Sequence, residues 1–243
     1  MRLIFLFAAI LLVGDPLFAK KENTSNLSTF EVKIKAQNAP SPSEIEVRMD
    51  TEVCGERRPS RAVILSAKSE LQDAVVWLEG QNLLGWPSQK SDENNVSALL
   101  VQKNCEIIPR TLIIPPGGVI KILNQDKILH SLRAQGRKNY PSFRIQPPSL
   151  KAVFFRFEAP EIVPLYSDLH PWMKSFVVVA PHQSHAITNF EGNAVIKKIP
   201  AGKYKLNIWH PVMGALAYQS EIDIPAQKKI EILWDANESH SQQ

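Results

Sequence analysis

One short stretch of the sequence combines residue types that bind soft metal ions. It runs from Tyr166 to Met173 and places His170 three positions before Met173. Upstream, His130 follows another predicted strand and its turn. Imidazole nitrogens bind both Cu(I) and Cu(II), and a thioether favours Cu(I) or serves as a weak axial ligand. The pattern therefore predicts a mononuclear copper site built from His130, His170 and Met173.

Four further residues surround these ligands. Asn124 and Asp126 precede His130 and are expected to shape the turn that leads to it. Asp168 has two interpretations, a metal ligand or an acceptor for backbone N–H groups of its own loop, and we favour the second. Trp172 is expected to pack over the loop rather than to carry electrons.

The remaining histidines suit structural roles better than metal binding. His182 and His185 are three positions apart on a strand-to-loop segment, a spacing that does not bring two side chains together. We therefore expect exposed polar residues there rather than a second metal site. His210 follows Trp209 at a strand end, where it either reaches the copper loop or serves as a hydrogen-bonded structural residue, and we expect the latter.

Short apolar runs rich in β-branched and aromatic residues must position these side chains. The clearest are residues 74–78, 111–114, 119–123, 152–157 and 175–179. A strong turn signal lies at residues 115–118, and 18 prolines argue against long helices. The pattern predicts an all-β chain built as a Greek-key sandwich. The copper loop is expected to connect the strand ending near Phe157 with the strand beginning at Ser175.

A second series of strands follows a boundary near Pro181. It comprises residues 186–188, 194–196, 199–210 and 229–234, with tight turns at Glu191-Gly192 and at residues 200–202. These strands form either a small sandwich of their own or an extension of the first. The segments are therefore a signal peptide at 1–19, a linker at 20–43 with a possible isolated strand at 30–34, a first domain at 44–181, a β module at 182–237 and a disordered tail at 238–243.

The N-terminus predicts export. Arg2 precedes an uncharged apolar run from Leu3 to Val13, and Ala19 is a suitable cleavage residue ahead of a polar sequence. An uncleaved anchor is the alternative, although the run is short for a membrane span. No later apolar stretch is long enough to span a bilayer. We expect a periplasmic or secreted protein.

Composition excludes several functions and leaves one question about the cysteines. The formal net charge is +4, with no dense Lys/Arg block, so we expect no nucleic-acid partner. No hydrolase, metalloprotease or phosphate-loop motif is present, so we do not expect an enzyme.

In an oxidising compartment Cys54 and Cys105 are expected to pair, because both lie far in sequence from the histidine loop. The alternative is that one of them is a copper thiolate.

Taken together, these motifs resemble a known family. The sequences Asn124-Gln125-Asp126, His130-Ser131 and Asp168-Leu169-His170-Pro171-Trp172-Met173, with residues 199–204 leading to Trp209-His210, are similar to bacterial cupredoxin-domain proteins of the methylamine-utilisation-like type. The resemblance covers about residues 45–235. It implies a cupredoxin-like Greek-key sandwich followed by a small carboxypeptidase-regulatory-like, or transthyretin-like, β-sandwich. It also implies copper ligands at His130, His170 and Met173.

The chain departs from that family at two positions. Arg110 stands where members commonly have histidine, and Ser167 occupies the position of the thiolate ligand. The colour and tuned potential of a blue-copper site come from the Cu–thiolate bond, which a neutral hydroxyl does not replace. We therefore expect weaker copper binding, suited to copper handling or to a degenerate electron-transfer role with a periplasmic redox or copper-transfer partner.

A different class of function is also open at this stage. The fold could serve as a scaffold with no metal, as a non-catalytic adhesion or carbohydrate-binding module. In that case the partner would be a cell-envelope glycan. Its sugar rings would stack on exposed faces of Trp77, Trp86, Trp172 and Trp209.

Overall fold

A computed structural model describes residues 27–41, 43–86, 96–148 and 151–238. The predicted signal peptide lies outside the described residues, as does the predicted tail apart from Glu238. The first half of the chain forms β1 (Ser28–Gln37), β2 (Glu44–Glu46), α1 (Thr51–Cys54), β3 (Arg57–Pro59), β4 (Val75–Glu79), β5 (Ala98–Lys103), β6 (Glu106–Ile108), β7 (Thr111–Ile114) and β8 (Gly118–Asn124). The second half forms β9 (His130–Ala134), β10 (Ser142–Gln146), β11 (Val153–Phe157), β12 (Glu161–Tyr166), β13 (Lys174–Val179), β14 (His185–Ile187), β15 (Asn193–Ile199), β16 (Gly202–His210), β17 (Gly214–Ile224), β18 (Lys229–Asp235) and a 3-10 turn (Ala236–Glu238).

Nine strands form a first sandwich. One sheet has the order β10-β9-β12-β13-β7 and the other the order β11-β8-β5-β6. The β13–β7 and β5–β8 pairs are parallel, and the remaining pairs are antiparallel. Apolar side chains from both sheets, including Leu132, Val177, Ile120 and Phe155, form one buried cluster between them. The prediction of an all-β chain built as a sandwich is confirmed.

Seven strands form a second sandwich, and one of them corrects the sequence analysis. Its sheets have the orders β15-β1-β18 and β14-β4-β16-β17. Strand β1 lies between β15 and β18, so the assignment of residues 20–43 to a linker is wrong over Ser28–Gln37. The reason is a strict alternation: Phe30, Val32, Ile34 and Ala36 are buried, and the charged residues between them face outward. A strand with one buried face needs this pattern, and the isolated strand expected at 30–34 is its centre.

Strand β4 also belongs to the second sandwich, although the sequence analysis placed it in the first domain. It pairs with β14 and β16, far downstream. The division at residues 181/182 therefore separates strands that share a sheet. The physical reason is that β4 finds its hydrogen-bonding partners across a long stretch of chain, which its own apolar pattern does not encode. The chain enters the second sandwich, leaves it, returns once as β4, and completes it after building the first.

The crossover segment, residues 38–74 between β1 and β4, reaches across to the first sandwich. Its Val47 and Cys54 side chains are buried in the first sandwich's core. Cys54 forms a disulfide with Cys105, with Cα atoms 5.6 Å apart. Arg58 pairs with Glu106 at 3.1 Å. These contacts hold the crossover segment against the loop end of the first sandwich.

The two sandwiches pack against one another through a small apolar cluster. Val75 from one sandwich meets Val178 and Ala180 from the other, and the Trp209 ring lies 5.4 Å from Phe176. Among the residues that the structure describes, helix is confined to α1 and the closing 3-10 turn. Across the described residues, no helix has the length and apolar character needed to cross a membrane.

Candidate metal centre

Two buried histidines face each other at one end of the first sandwich. His130 is the first residue of β9, and His170 lies in the loop between β12 and β13. Both are completely buried. Their Nδ1 atoms are 3.2 Å apart, and the rings meet edge to face with centroids separated by 5.0 Å. The fold thus brings together two of the three predicted copper ligands, with the Nδ1 atom of one imidazole facing the Nδ1 atom of the other.

The outer nitrogen of each imidazole contacts a carboxylate. His130 Nε2 is 2.9 Å from Asp126 Oδ2, and His170 Nε2 is 2.8 Å from Asp50 Oδ2. Asp126 is held in turn by backbone N–H groups of Asn104 and Cys105, at 2.6 Å and 2.9 Å. Carboxylates of this kind fix the ring orientation of metal-binding histidines and raise their basicity. Both imidazoles are therefore oriented with Nδ1 facing inward.

The hydrogen bonds of this histidine pair leave both Nδ1 atoms without a proton. An ionised carboxylate only accepts hydrogen bonds, so each Nε2 must carry a proton to donate. A neutral imidazole has one N–H, so both Nδ1 atoms then point lone pairs at each other across 3.2 Å. Two facing lone pairs repel, and a cation between them removes the conflict. That cation is either one shared proton or a metal ion.

Burial weakens proton binding at His130. The pKa of His130 is lowered chiefly by burial and further by His170, while the hydrogen bond to Asp126 opposes the shift. A lowered pKa leaves the lone pair available near neutral pH. With metal–nitrogen bonds of about 2.0 Å, a separation of 3.2 Å corresponds to an N–metal–N angle of about 106°. That angle is close to tetrahedral, so the two nitrogens fit one metal ion.

The loop that carries His170 is short and closed by its own hydrogen bonds. The Ser167 N–H donates to Met173 O at 3.1 Å, and the Met173 N–H donates to His170 O at 2.8 Å. Met173 is buried, with 1% of its surface exposed. The expectation of one long loop between Phe157 and Ser175 is wrong, because β12 occupies Glu161–Tyr166. The loop between β12 and β13 is residues 167–173, so Ser167, His170 and Met173 all lie in one short loop.

Ser167 stabilises this loop through its hydroxyl. Its Oγ accepts the His170 N–H at 3.1 Å and lies 3.2 Å from Ser131 Oγ. Ser131 Oγ already accepts the N–H groups of Asp168 and Leu169, so its own proton is directed to Ser167. Both lone pairs of Ser167 Oγ are then occupied. The Ser167 hydroxyl therefore stabilises the loop through hydrogen bonds and is a poor metal ligand.

The other residues predicted around the site are placed as follows. Asn124 does shape the turn, since its amide donates to Ile128 O and its Oδ1 accepts the Asp126 N–H. Asp126 does more than expected, because its carboxylate orients His130. The expectation that Asp168 accepts loop N–H groups is wrong: its carboxylate pairs with Arg133 at 2.6 Å on the surface, and Ser131 accepts those N–H groups instead.

Trp172 packs as expected. Its indole N–H donates to Cys105 O at 3.0 Å, and its ring lies 5.3 Å from that of His170. Asp50, by contrast, was not anticipated at all. It lies 120 positions from His170 and is carried in by the crossover segment. The available signal was its position just before Cys54, whose partner Cys105 lies at the same end of the sandwich.

The three other histidines within the described residues occupy structural positions. His182 and His185 are not exposed as expected: their rings are 4.7 Å apart, and His185 stacks on Trp77 at 5.8 Å. Burial lowers the pKa of His185 to about 3. His210 is completely buried, and its Nδ1 accepts the N–H groups of Val212 and Met213. The prediction of a hydrogen-bonded structural role for His210 is confirmed.

None of the four tryptophans suggested as sugar-stacking faces is fully exposed. Trp77, Trp86 and Trp209 pack against the apolar cluster between the two sandwiches, and Trp172 packs against the first core. Trp86 also donates to Ala180 O at 2.6 Å. Trp77, Trp86 and Trp209 therefore use their faces for packing within the chain, and Trp172 is half-buried.

Histidine, cysteine and carboxylate groups alone do not complete a metal site. Within the described part of the chain, no three such side chains are placed to hold one ion. The candidate set is therefore His130 and His170, with the buried Met173 in the same loop as the third residue. Two imidazoles and a thioether are a donor set for copper, and for Cu(I) in particular.

Comparison with known proteins gives distant structural likenesses only. No protein-family model and no curated protein sequence matches the chain. A copper-containing nitrite reductase from Thermus scotoductus matches at TM-score 0.30 and 18% identity, over 35% of this chain and 22% of that one. A purple cupredoxin from Nitrosopumilus maritimus matches at 0.28 and 21%, over 34% and 99%. Amicyanin from Paracoccus versutus matches at 0.32 and 11%, over 43% and 96%. Proteins this distant carry no information on the function of this chain.

Proposed function

We propose that this chain is an exported copper-binding protein whose ion is held by Nδ1 of His130 and Nδ1 of His170. The thioether of Met173 is the third ligand in this proposal. Ser167 stands where a blue-copper site has its thiolate and does not bind the ion. When bound, copper supplies the cation that the two facing imidazoles require.

One observation supports the proposal above all others: two fully buried imidazoles point Nδ1 at Nδ1 across 3.2 Å while a carboxylate holds each outer nitrogen. An arrangement that only stabilised the fold would not need two unpartnered lone pairs to face one another. Asp50 and Asp126 add two negative charges close to the pair, which favours a bound cation. The chain thus orients its ligands before any metal arrives.

The role that follows is copper handling rather than fast electron transfer. Without a thiolate, the site has no source of the intense charge-transfer absorption of blue copper. Two nitrogens and a soft sulfur favour Cu(I). A periplasmic partner that delivers or accepts copper, or a redox partner, fits such a site. The leader-like N-terminus and the Cys54–Cys105 disulfide support an oxidising, extracytoplasmic location.

A titration with matched variants tests this proposal. The metal-free protein is titrated with Cu(I) under anaerobic conditions in competition with a chromophoric chelator, beside His170→Ala and His182→Ala. We expect one equivalent of copper to bind to the wild type and to His182→Ala, and binding to be lost in His170→Ala. Equal retention of copper by His170→Ala and the wild type would place the copper elsewhere, and no binding by the wild type would refute the proposal.

A further inference from the structure

A cavity of about 800 Å³ lies between the crossover segment and the first sandwich, beside the candidate metal centre. Its wall includes Arg58 and Arg61 from the crossover segment, and Arg110, Trp172 and Met173 from the first sandwich. Asp73, at the end of the crossover segment, closes another part of the wall. The volume is within the range of small-molecule sites, which typically enclose about 300–1,000 Å³.

Two polar groups of this wall are buried and unsatisfied. Asp73 is 6% exposed, and its Oδ2 atom has no hydrogen-bond partner among the described residues. Arg110 Nη1 is likewise buried and unpartnered within that part of the chain. The two side chains attract one another without forming an ion pair. An unpaired buried acceptor and an unpaired buried donor are costly to maintain, and a bound molecule that satisfies both would remove that cost.

The other arginines of the wall already form ion pairs, and the remaining cation, Lys174, is exposed. Arg58 and Arg61 each pair with Glu106 at 3.1 Å, and Arg48 pairs with Glu46 at 3.1 Å. Arg110 is therefore the guanidinium of the wall that is left to bind an anion. A guanidinium matches a carboxylate through two parallel hydrogen bonds.

The rest of the wall is largely apolar. Ile107, Pro171, Trp172 and Met173 contribute to it, together with aliphatic residues of the crossover segment. Such a wall accommodates a hydrocarbon or aromatic group beside the two polar ends. The unpartnered Oδ2 of Asp73 calls for a cationic donor, and the unpartnered Nη1 of Arg110 calls for an anion.

We propose that this cavity binds a small organic zwitterion of the amino-acid type, with its carboxylate on Arg110, its ammonium group on Asp73 and an apolar side chain against Trp172. The two charged ends lie apart from His130 and His170, but Met173 belongs both to this wall and to the proposed copper ligands, so binding is tested on the metal-free protein. Burial raises the pKa of Asp73, and a cationic group seated beside it would stabilise the ionised carboxylate.

Three probes that differ in a single group test the assignment of both ends. Isothermal titration of the full, metal-free protein is performed with L-phenylalanine, with 3-phenylpropionate, which lacks the ammonium group, and with 2-phenylethylamine, which lacks the carboxylate. We expect L-phenylalanine to bind at one site, and each of the other two to bind at least about tenfold more weakly, since each loses one charge-assisted contact.

Variants then assign each end to its residue. Asp73→Asn should weaken L-phenylalanine binding about tenfold or more and leave 3-phenylpropionate unaffected, and Arg110→Gln should weaken both. Lys203→Gln, which alters an exposed residue outside the cavity wall, is the control and should bind like the wild type. The double variant Asp73→Asn/Arg110→Gln removes both charges at once. Because the double variant leaves neither charge unpaired, we expect it to fold even if a single variant does not. It should not bind L-phenylalanine.

Two results would overturn the proposal. One is the absence of L-phenylalanine binding at concentrations up to about 10 mM, far weaker than the affinity of a built site. The other is equal affinity for all three probes with no change in Asp73→Asn or Arg110→Gln. Because these titrations contain no copper, their failure would leave the proposed function of the histidine pair standing, and the converse also holds.

Discussion

The carboxylate of Asp50 should control copper affinity although it does not touch the metal. It holds His170 Nε2 at 2.8 Å from a separate part of the chain, and its side chain is 29% exposed. Asp50→Asn keeps an oxygen that can accept the same hydrogen bond but removes the negative charge. His170 then becomes a less basic ligand, and the charge that favours a cation between the rings is reduced.

The expected magnitude follows from that geometry. Removing such a partner of a metal-binding histidine costs about 10–100-fold in affinity, or about 1.4–2.7 kcal/mol. Partial exposure screens the charge of Asp50, so we expect the lower end, about tenfold. Asp126, only 6% exposed, should matter more, but it also holds two backbone N–H groups. Asp50 is therefore the cleaner position to test.

The assay is competition for Cu(I) against a chromophoric chelator, with urea unfolding as a check that each variant folds. Asp168→Asn is the matched control. It removes the same charge from the metal loop, two residues before His170, but its carboxylate pairs with Arg133 at the surface. Asp168→Asn should bind copper like the wild type. If Asp50→Asn matched Asp168→Asn, then the carboxylate would not act on the metal site and our reasoning on the outer nitrogens would be refuted.

Three further predictions concern the loop, a buried histidine and the disulfide. Ser167→Cys should develop a strong visible charge-transfer band on adding Cu(II), because a thiolate then joins His130 and its loop partners; a colourless product would mean that the ligands do not converge. The pKa of His210 is lowered to about 3 from 6.5 by burial, so stability should rise with pH between these values. From pH 7.5 to 5.5, His210 should account for about 1.4 kcal/mol of the lost unfolding free energy. The loss should therefore be smaller by about that amount in His210→Gln, in which His185 and the other buried histidines still titrate. Equal shifts of the urea midpoint in both proteins would contradict this. Cys54→Ser/Cys105→Ser opens a loop of 51 residues and should cost about 4 kcal/mol in urea unfolding, with weaker copper binding, because Asp50 is no longer held in place.

The sequence could predict that His170 and Met173 share one short loop, because that relation is local. His170 and Met173 lie three positions apart, and a single upstream histidine completes the set. Strands that are rich in β-branched residues, such as β8 and β13, could also be predicted, because strand preference is a property of a short stretch of sequence. The Cys54–Cys105 disulfide could be predicted because the chain has two cysteines and its N-terminus predicts export to an oxidising compartment.

Long-range placement was not predictable from local pattern. Asp50 reaches His170 from 120 positions away, and β4 pairs with strands of a different sandwich. Strand β12 was missed because Pro164 interrupts its apolar run, a residue that normally argues against a strand. Strand β17 (Gly214–Ile224) was missed because it contains alanine, serine and glutamine, which have weak strand preference. Each of these features depends on tertiary partners that a short window of sequence does not contain.

The most direct test of the copper site is crystallographic. Crystals of the copper-loaded protein, measured on both sides of the copper absorption edge, reveal the ion by its anomalous scattering. We expect one peak about 2.0 Å from Nδ1 of both His130 and His170, with the two nitrogens still close to 3.2 Å apart. A peak at His182 and His185, or no ordered copper in crystals soaked with an excess of the ion, would contradict the assignment of His130 and His170 as the copper ligands.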